Sequence, residues 1–232
     1  MDAMSSSGRE PTDPPVHLDI RGFTLGPFAT NCYLVRPRGY EGCWVIDASF
    51  SPAPLIQAIR QWVGPGGRPE LLVLTHAHVD HIAGVDQVLA EFPRTPVVIH
   101  EAERAWPGDA QANLSALSGM AVTCHGPDRT VKDGDELALG PSRWRVLHTP
   151  GHSPGGMCLL ALNAHRPLVI AGDALFAGSI GRTDLPGGDH QTLLASIREK
   201  LYTLDPATMV LAGHGPQTTI GAERLSNPYV RA

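Results

Sequence analysis

An α/β fold with two sheets packed face to face and helices outside, a four-layer αββα sandwich, is the class this sequence predicts. Three observations point to it. Strand-like runs lead and close each half of the chain. Helical periods fall between the halves and at their ends, and no repeat or low-complexity linker divides the 232 residues. A doubly wound sheet would give a similar order of elements, so periodicity alone leaves that alternative open.

The elements follow in order. Short apolar runs at 16–25, 31–36 and 43–47 are punctuated by Gly26-Pro27 and Pro37-Arg38-Gly39, which read as turns between strands. Over 52–62, Leu55, Ile56, Ile59 and Trp62 recur at helical steps, with Val63 completing the stripe. The run L-L-V-L-T at 71–75 is continuously apolar, as suits a strand buried on both faces. A helix over 80–92, a strand over 97–100 and a short helix over 101–105 come next. The stretch 107–126 has weak periodicity and reads as loop with some helix. Strands are expected at 136–139, 144–149, 157–162 and 168–171, then a long glycine-containing loop over 175–188. Asp189 N-caps a helix running to 202, and 209–212 is a last short strand.

Composition limits the function. Apolar residues make up 42% and charged residues 18%, ordinary for a folded domain, and the net charge is −5 with 11 histidines neutral. That balance offers no broad basic surface for a phosphate backbone, so no nucleic-acid partner is expected. Cys32, Cys43, Cys124 and Cys158 form no C-x-x-C pair and read as buried small hydrophobes. Residues 1–15 are polar and proline-rich without an apolar core, which predicts a disordered leader before a single domain over 16–232. No run reaches the length of a membrane span, and a cytoplasmic location is expected.

The sharpest local feature is T-H-A-H-V-D-H, Thr75 to His81, at the end of the apolar strand. Residues two apart in an extended segment point the same way, so His76 and His78 can share one metal. Asp80 and His81 follow where the chain turns into a helix and can reach a second metal beside it. Imidazole and carboxylate without thiolate fit a catalytic site for zinc, iron or manganese more than a structural zinc site. Three further strand ends repeat the theme: T-P-G-H-S-P-G-G with His152, A-G-D-A-L-F with Asp173, and A-G-H-G-P with His214. In each, a ligand-type side chain sits in a glycine-bearing turn.

In this order these motifs resemble the metallo-β-lactamase superfamily. G-S-I-G-R-T-D-L-P-G-G-D (178–189) and E-R-L-S-N-P-Y (223–229) are similar to the short bacterial glyoxalase II-like hydrolases. The resemblance implies that His76, His78 and His152 bind one metal, that Asp80, His81 and His214 bind the other, and that Asp173 bridges them. It implies two divalent ions, zinc first, with iron or manganese as alternatives. The implied reaction is hydrolysis of a small-molecule thioester such as S-D-lactoylglutathione by attack of metal-bound hydroxide, with Asp80 and Asp173 supplying catalytic negative charge. Glyoxalase II proper carries a C-terminal helical domain that helps hold glutathione, and the expectation here is that this part of the thiol site is missing.

Rival readings share the same residues. A persulfide dioxygenase would draw a single iron site from His76, His152 and Asp173, and its G-R-T-D loop resembles the one here. A lactonase or β-lactamase would use the dimetal site on a ring, and a metal-braced binding module would do no chemistry. The remaining histidines, His17, His100, His125, His148, His165 and His190, match no ligand position. Asp47, at a strand end, either orients a ligand or caps a turn. Arg182 is the candidate for an anionic substrate group, against the alternative that it braces its loop through Asp184. Gly155-Gly156 reads as turn geometry and not a phosphate cradle, because no helical pattern follows.

Overall fold

Alternation along the strands sorts the apolar side chains into three cores, and the three cores define four layers. In the computed structural model, which describes residues 14–231, β1 (Leu18–Leu25), β2 (Thr30–Pro37), β3 (Trp44–Ile46), β4 (Leu71–Val73), β5 (Val97–His100) and β6 (Arg129–Val131) form one sheet in sequence order. The first three strands pair antiparallel and the last three join in parallel. The second sheet runs β14 (Thr218–Thr219), β13 (Met209–Ala212), β10 (Leu168–Gly172), β9 (Met157–Ala161), β8 (Ser142–His148), β7 (Glu136–Leu139). A separate hairpin pairs β11 (Leu175–Phe176) with β12 (Ser179–Ile180).

Tyr33, Val35, Trp44, Ile46, Val73 and Val98 from the first sheet meet Trp144, Val146, Leu159 and Ile170 from the second. Trp44 and Trp144 face each other across this layer with ring centroids 5.9 Å apart. The alternate residues Leu34, Val45, Leu72 and Ile99 turn outward onto α1 (Ala53–Val63) and α3 (Val85–Glu91). On the far side Cys158, Val169 and Val210 pack on Leu193, Leu194 and Ile197, from α4 (His190–Ser196) and the π turn that extends it to Leu201. The predicted αββα sandwich is therefore the observed one, and the doubly wound alternative is set aside. No helix among the described residues is long and apolar enough to cross a membrane.

Several local expectations change. The helix expected over 80–92 is two: α2 (Val79–Ile82) and α3, parted at Ala83-Gly84. The loop after β3 intervenes, with Ala48 N donating to the His81 carbonyl and Gly84 N donating to the Ala48 carbonyl, both at 2.8 Å. β6, the β11–β12 hairpin, β14 and α5 (Ile220–Ser226) are additional to the sequence reading; strands of two or three residues are too short to show a period. Asp189 does cap α4, its carboxylate accepting from Thr192 N at 2.7 Å. Cys32, Cys43 and Cys158 are buried as expected, whereas Cys124 is only half-buried. Residues 1–13 of the expected leader lie outside the described residues.

Trp144 is completely buried between the sheets. Trp144→Ala is expected to cost about 3–5 kcal/mol of unfolding free energy through the cavity it leaves. Leu225→Ala, at a side chain 90% exposed, should stay within about 0.5 kcal/mol. Urea unfolding midpoints with unchanged slopes check both.

Candidate metal centre

All seven candidate ligands sit where strands run out at one rim of the sandwich. Past β4 come His76 and the extended His78, which caps α2, whose first turn carries Asp80 and His81. His152 lies in the turn between β8 and β9, Asp173 directly follows β10, and His214 follows β13 by two residues. Gly213, between β13 and His214, lies against the Asp173 carboxylate: a Cβ there would fall 2.0 Å from Asp173 Oδ1, so only glycine permits this approach.

The side chains converge in overlapping groups. Ligand atoms of His76, His78 and His152 lie within 4.8 Å of one another, and so do those of Asp80, His81 and His214, and of His76, His81 and Asp173. Asp173 reaches both sides: its Oδ2 is 3.5 Å from His152 Nε2 and 3.4 Å from His214 Nε2, and its Oδ1 is 3.3 Å from His81 Nε2. Asp80 Oδ2 lies 3.2 Å from His214 Nε2.

The outer side of the cluster fixes the ring orientations. His152 Nδ1 is 2.8 Å from the Arg182 carbonyl and His214 Nδ1 is 3.1 Å from the Phe28 carbonyl. A carbonyl only accepts, so each Nδ1 donates and each Nε2 is turned inward. His81 Nδ1 meets Asp47 Oδ2 at 2.8 Å, and Thr30 Oγ1 donates to Asp80 Oδ2 at 2.8 Å. Asp47 does more than cap a turn. Its Oδ1 accepts from Thr75 N at 2.7 Å and its Oδ2 from Thr75 Oγ1 at 2.8 Å.

Whether a cation fits can be judged from what is left over. His76 Nε2 and His78 Nε2 are buried without a hydrogen-bond partner, beside the 3.3 Å contact of His81 Nε2 with Asp173 Oδ1. An unpaired buried polar atom costs about 1–3 kcal/mol, and two such nitrogens next to a carboxylate match a divalent cation.

The two sides differ in charge. Burial, reinforced by neighbouring rings, holds His76 well below the ordinary histidine range and His78 down at about 3. Burial also lowers His152, against the pull of Asp173. On the other side burial is outweighed. Asp80, Asp173 and Asp47 raise His81 well above its usual value, and hydrogen bonds to Asp173 and Asp80 lift His214 to about 9. Burial pushes Asp80 up, yet His81 and His214 bring it to about 2, and Asp173 is likewise held well below the carboxylate range.

Arg182 contributes to the cluster through its backbone carbonyl. Its guanidinium makes a two-pronged pair with Asp184, both contacts 2.8 Å and both side chains exposed, which is the bracing arrangement. The remaining histidines stay outside: His100 stacks on His148 with centroids 3.9 Å apart, and His17 lies against His165. Glu103, which the sequence reading passed over, is fully buried beside the cluster and accepts from Ala77 N at 2.6 Å and Gly155 N at 2.7 Å. Its only sequence signal is a carboxylate in a short helical turn three residues past a buried strand.

Two outcomes test this centre. A cation entering between His81 and His214 must displace the protons their raised pKa values hold at pH 7. Binding should therefore release protons and strengthen as pH rises toward 9; calorimetry in buffers of different ionisation enthalpy reads this, and a buffer-independent heat contradicts it. Asp47→Asn keeps a residue that tolerates the left-handed backbone at this position (φ 58°) but removes the charge behind His81. It should weaken cation binding about 10–100-fold, measured by chelator competition, with little change in the circular dichroism spectrum.

Comparison with known proteins agrees with this architecture. The family model of the metallo-beta-lactamase superfamily matches residues 25–214. The chain is 40% identical to the probable metallo-hydrolase YqgX of Bacillus subtilis, over 90% of this chain and 96% of that protein. It is 32% identical to the hydroxyacylglutathione hydrolase GloC of Haemophilus influenzae, over 93% of this chain and 99% of that one. The crystal structure of the B3 metallo-beta-lactamase BLEG-1 is similar at a TM-score of 0.84 and 38% identity, covering 92% of this chain and 100% of that chain. With the rim geometry and a family model spanning most of its length, the chain belongs to the metallo-beta-lactamase superfamily.

Proposed function

We propose that this metallo-hydrolase is dinuclear and hydrolyses thioesters such as S-D-lactoylglutathione. The observation that carries the reading is the position of Asp173, whose carboxylate lies 3.3–3.5 Å from histidines of both groups. In this reading His76, His78 and His152 hold one divalent ion, Asp80, His81 and His214 hold the other, and Asp173 stands between them. Zinc is the proposed metal; iron and manganese accept the same donors. When bound, such ions polarise a carbonyl oxygen and lower the pKa of water from 15.7 to about 7.

The chain's own residues prepare the rest. The Arg182 and Phe28 carbonyls fix the ring orientations of His152 and His214, with each Nε2 turned inward. Asp80, held by Thr30, and Asp173 supply the negative charge that offsets the cations. The reaction adds water oxygen to the acyl carbon and breaks the C–S bond, giving a carboxylate and a thiol. A thiolate leaves without a protein acid. The Cys32 and Cys158 thiols are poor nucleophiles, because burial pushes both up to about 12. The thioester class is supported by the similarity to GloC along nearly the whole of that protein.

A β-lactam is the second reading, favoured by the likeness to BLEG-1. It asks more of the site, because the leaving ring nitrogen needs a proton.

The metal-loaded protein should turn over S-D-lactoylglutathione. His78→Ala should lose about one metal equivalent and nearly all turnover. Asp173→Asn, with a weaker neutral oxygen, should weaken both equivalents together; weakening of one alone would make Asp173 an ordinary terminal ligand. Turnover of β-lactams without thioesters, or oxygen uptake with glutathione persulfide, would replace the proposed substrate class.

A further inference from the structure

Glu103 is buried to 0% exposure, yet it belongs to none of the three groups of candidate ligands. Its oxygens are divided between two chain segments. One accepts from the N–H of Ala77, the residue between His76 and His78; the other accepts from the N–H of Gly155, three residues after His152. At 2.6 and 2.7 Å both are short enough for charge-assisted bonds. The approach is built into the sequence: a Cβ on Gly155 would fall 2.8 Å from Glu103 Cγ. The same short turn meets the His152 segment a second time, because His100 at its start stacks on His148, whose Nε2 lies 2.8 Å from the Pro154 carbonyl.

Charge gives the arrangement a purpose beyond bracing. Asp173, the carboxylate that contacts His152, also faces His81 and His214 and so is shared between the two sides. Imidazole ligands bring no negative charge of their own to a divalent ion, and a carboxylate held behind the segments that carry them adds it. Glu103 stands behind the two loops that supply all three rings. We propose that Glu103 is a positioning residue that sets how tightly the His76, His78 and His152 group holds its metal. It does so by locking the two loops in register and by placing a buried negative charge behind them. The inference rests on the dinuclear reading above.

The test is zinc titration of the metal-free protein against a competing chelator, with thermal unfolding of the metal-free form recorded separately. E103Q keeps the shape but removes the charge and turns an NH2 toward one of the two N–H donors. It should weaken one metal equivalent about 10–100-fold and leave the other unchanged. E103D keeps the charge with a shorter reach and should recover part of that loss, which also serves if E103Q does not fold. In a His78→Ala background, already without that equivalent, adding E103Q should leave the remaining affinity unchanged. Wild-type affinity for both equivalents in E103Q, with only a lowered Tm, would overturn the proposal and make Glu103 a structural brace. Equal weakening of both equivalents would overturn it too. A wild-type titration showing a single equivalent would sink the dinuclear reading before any variant is compared, and inactivity on thioesters would sink the substrate class without touching the titration.

Discussion

Asp47 is buried to 1% exposure, and its two oxygens serve three donors: Thr75 N, Thr75 Oγ1 and His81 Nδ1. One side chain thereby joins the end of β3, the exit of β4 and the first turn of α2. Burying a carboxylate is costly unless every lone pair is used, so this carboxylate fixes the segment carrying four of the seven candidate ligands. The backbone agrees, with Asp47 N donating to Val73 O and Ala48 N to His81 O. The position of His81, which meets Asp173 across the rim at 3.3 Å, follows from satisfying Asp47.

From that anchor the rim divides into two electrostatic halves, and the division explains why so polar a cluster can exist inside an apolar sandwich. On one side burial lowers the three rings, so they add no charge of their own there. On the other, protonated His81 and His214 answer the charges of Asp80 and Asp173. Asp80 and Asp173 thus favour the charged form of both rings, the same preference they would show for a cation. Around it, carbonyls of Arg182 and Phe28 hold the rings, so little reorganisation is left for metal uptake.

Much of this was legible because chemistry and punctuation coincide in the sequence. Each candidate ligand sits beside a glycine or at the end of an apolar run, and the seven positions picked from T-H-A-H-V-D-H, His152, Asp173 and His214 are brought to one rim. The long strands were legible for the same reason: Leu34 and Val35, or Val45 and Ile46, alternate between layers. What escaped was decided by distant partners. The break between α2 and α3 depends on Ala48, and the role of Glu103 depends on two loops remote in sequence. β14 and β11 hold two residues each and carry no period. The ambiguity at Asp47 was real, since its backbone lies in the left-handed region like a turn residue while its side chain orients His81.

Core and site are finally one constraint, because register sets both. β3 and β4 pair in parallel with Ile46 opposite Val73, and both side chains face the inter-sheet core. That pairing places Asp47 just past the end of β3, where it meets Thr75 past the end of β4. A slip of one residue would turn Val73 outward, bring Leu72 inward against Trp44 and Ile46, and carry Thr75 away from Asp47. The apolar layer therefore selects the single register in which the rim's polar groups are satisfied. Packing supplies the precision, and the polar network makes any other register costly.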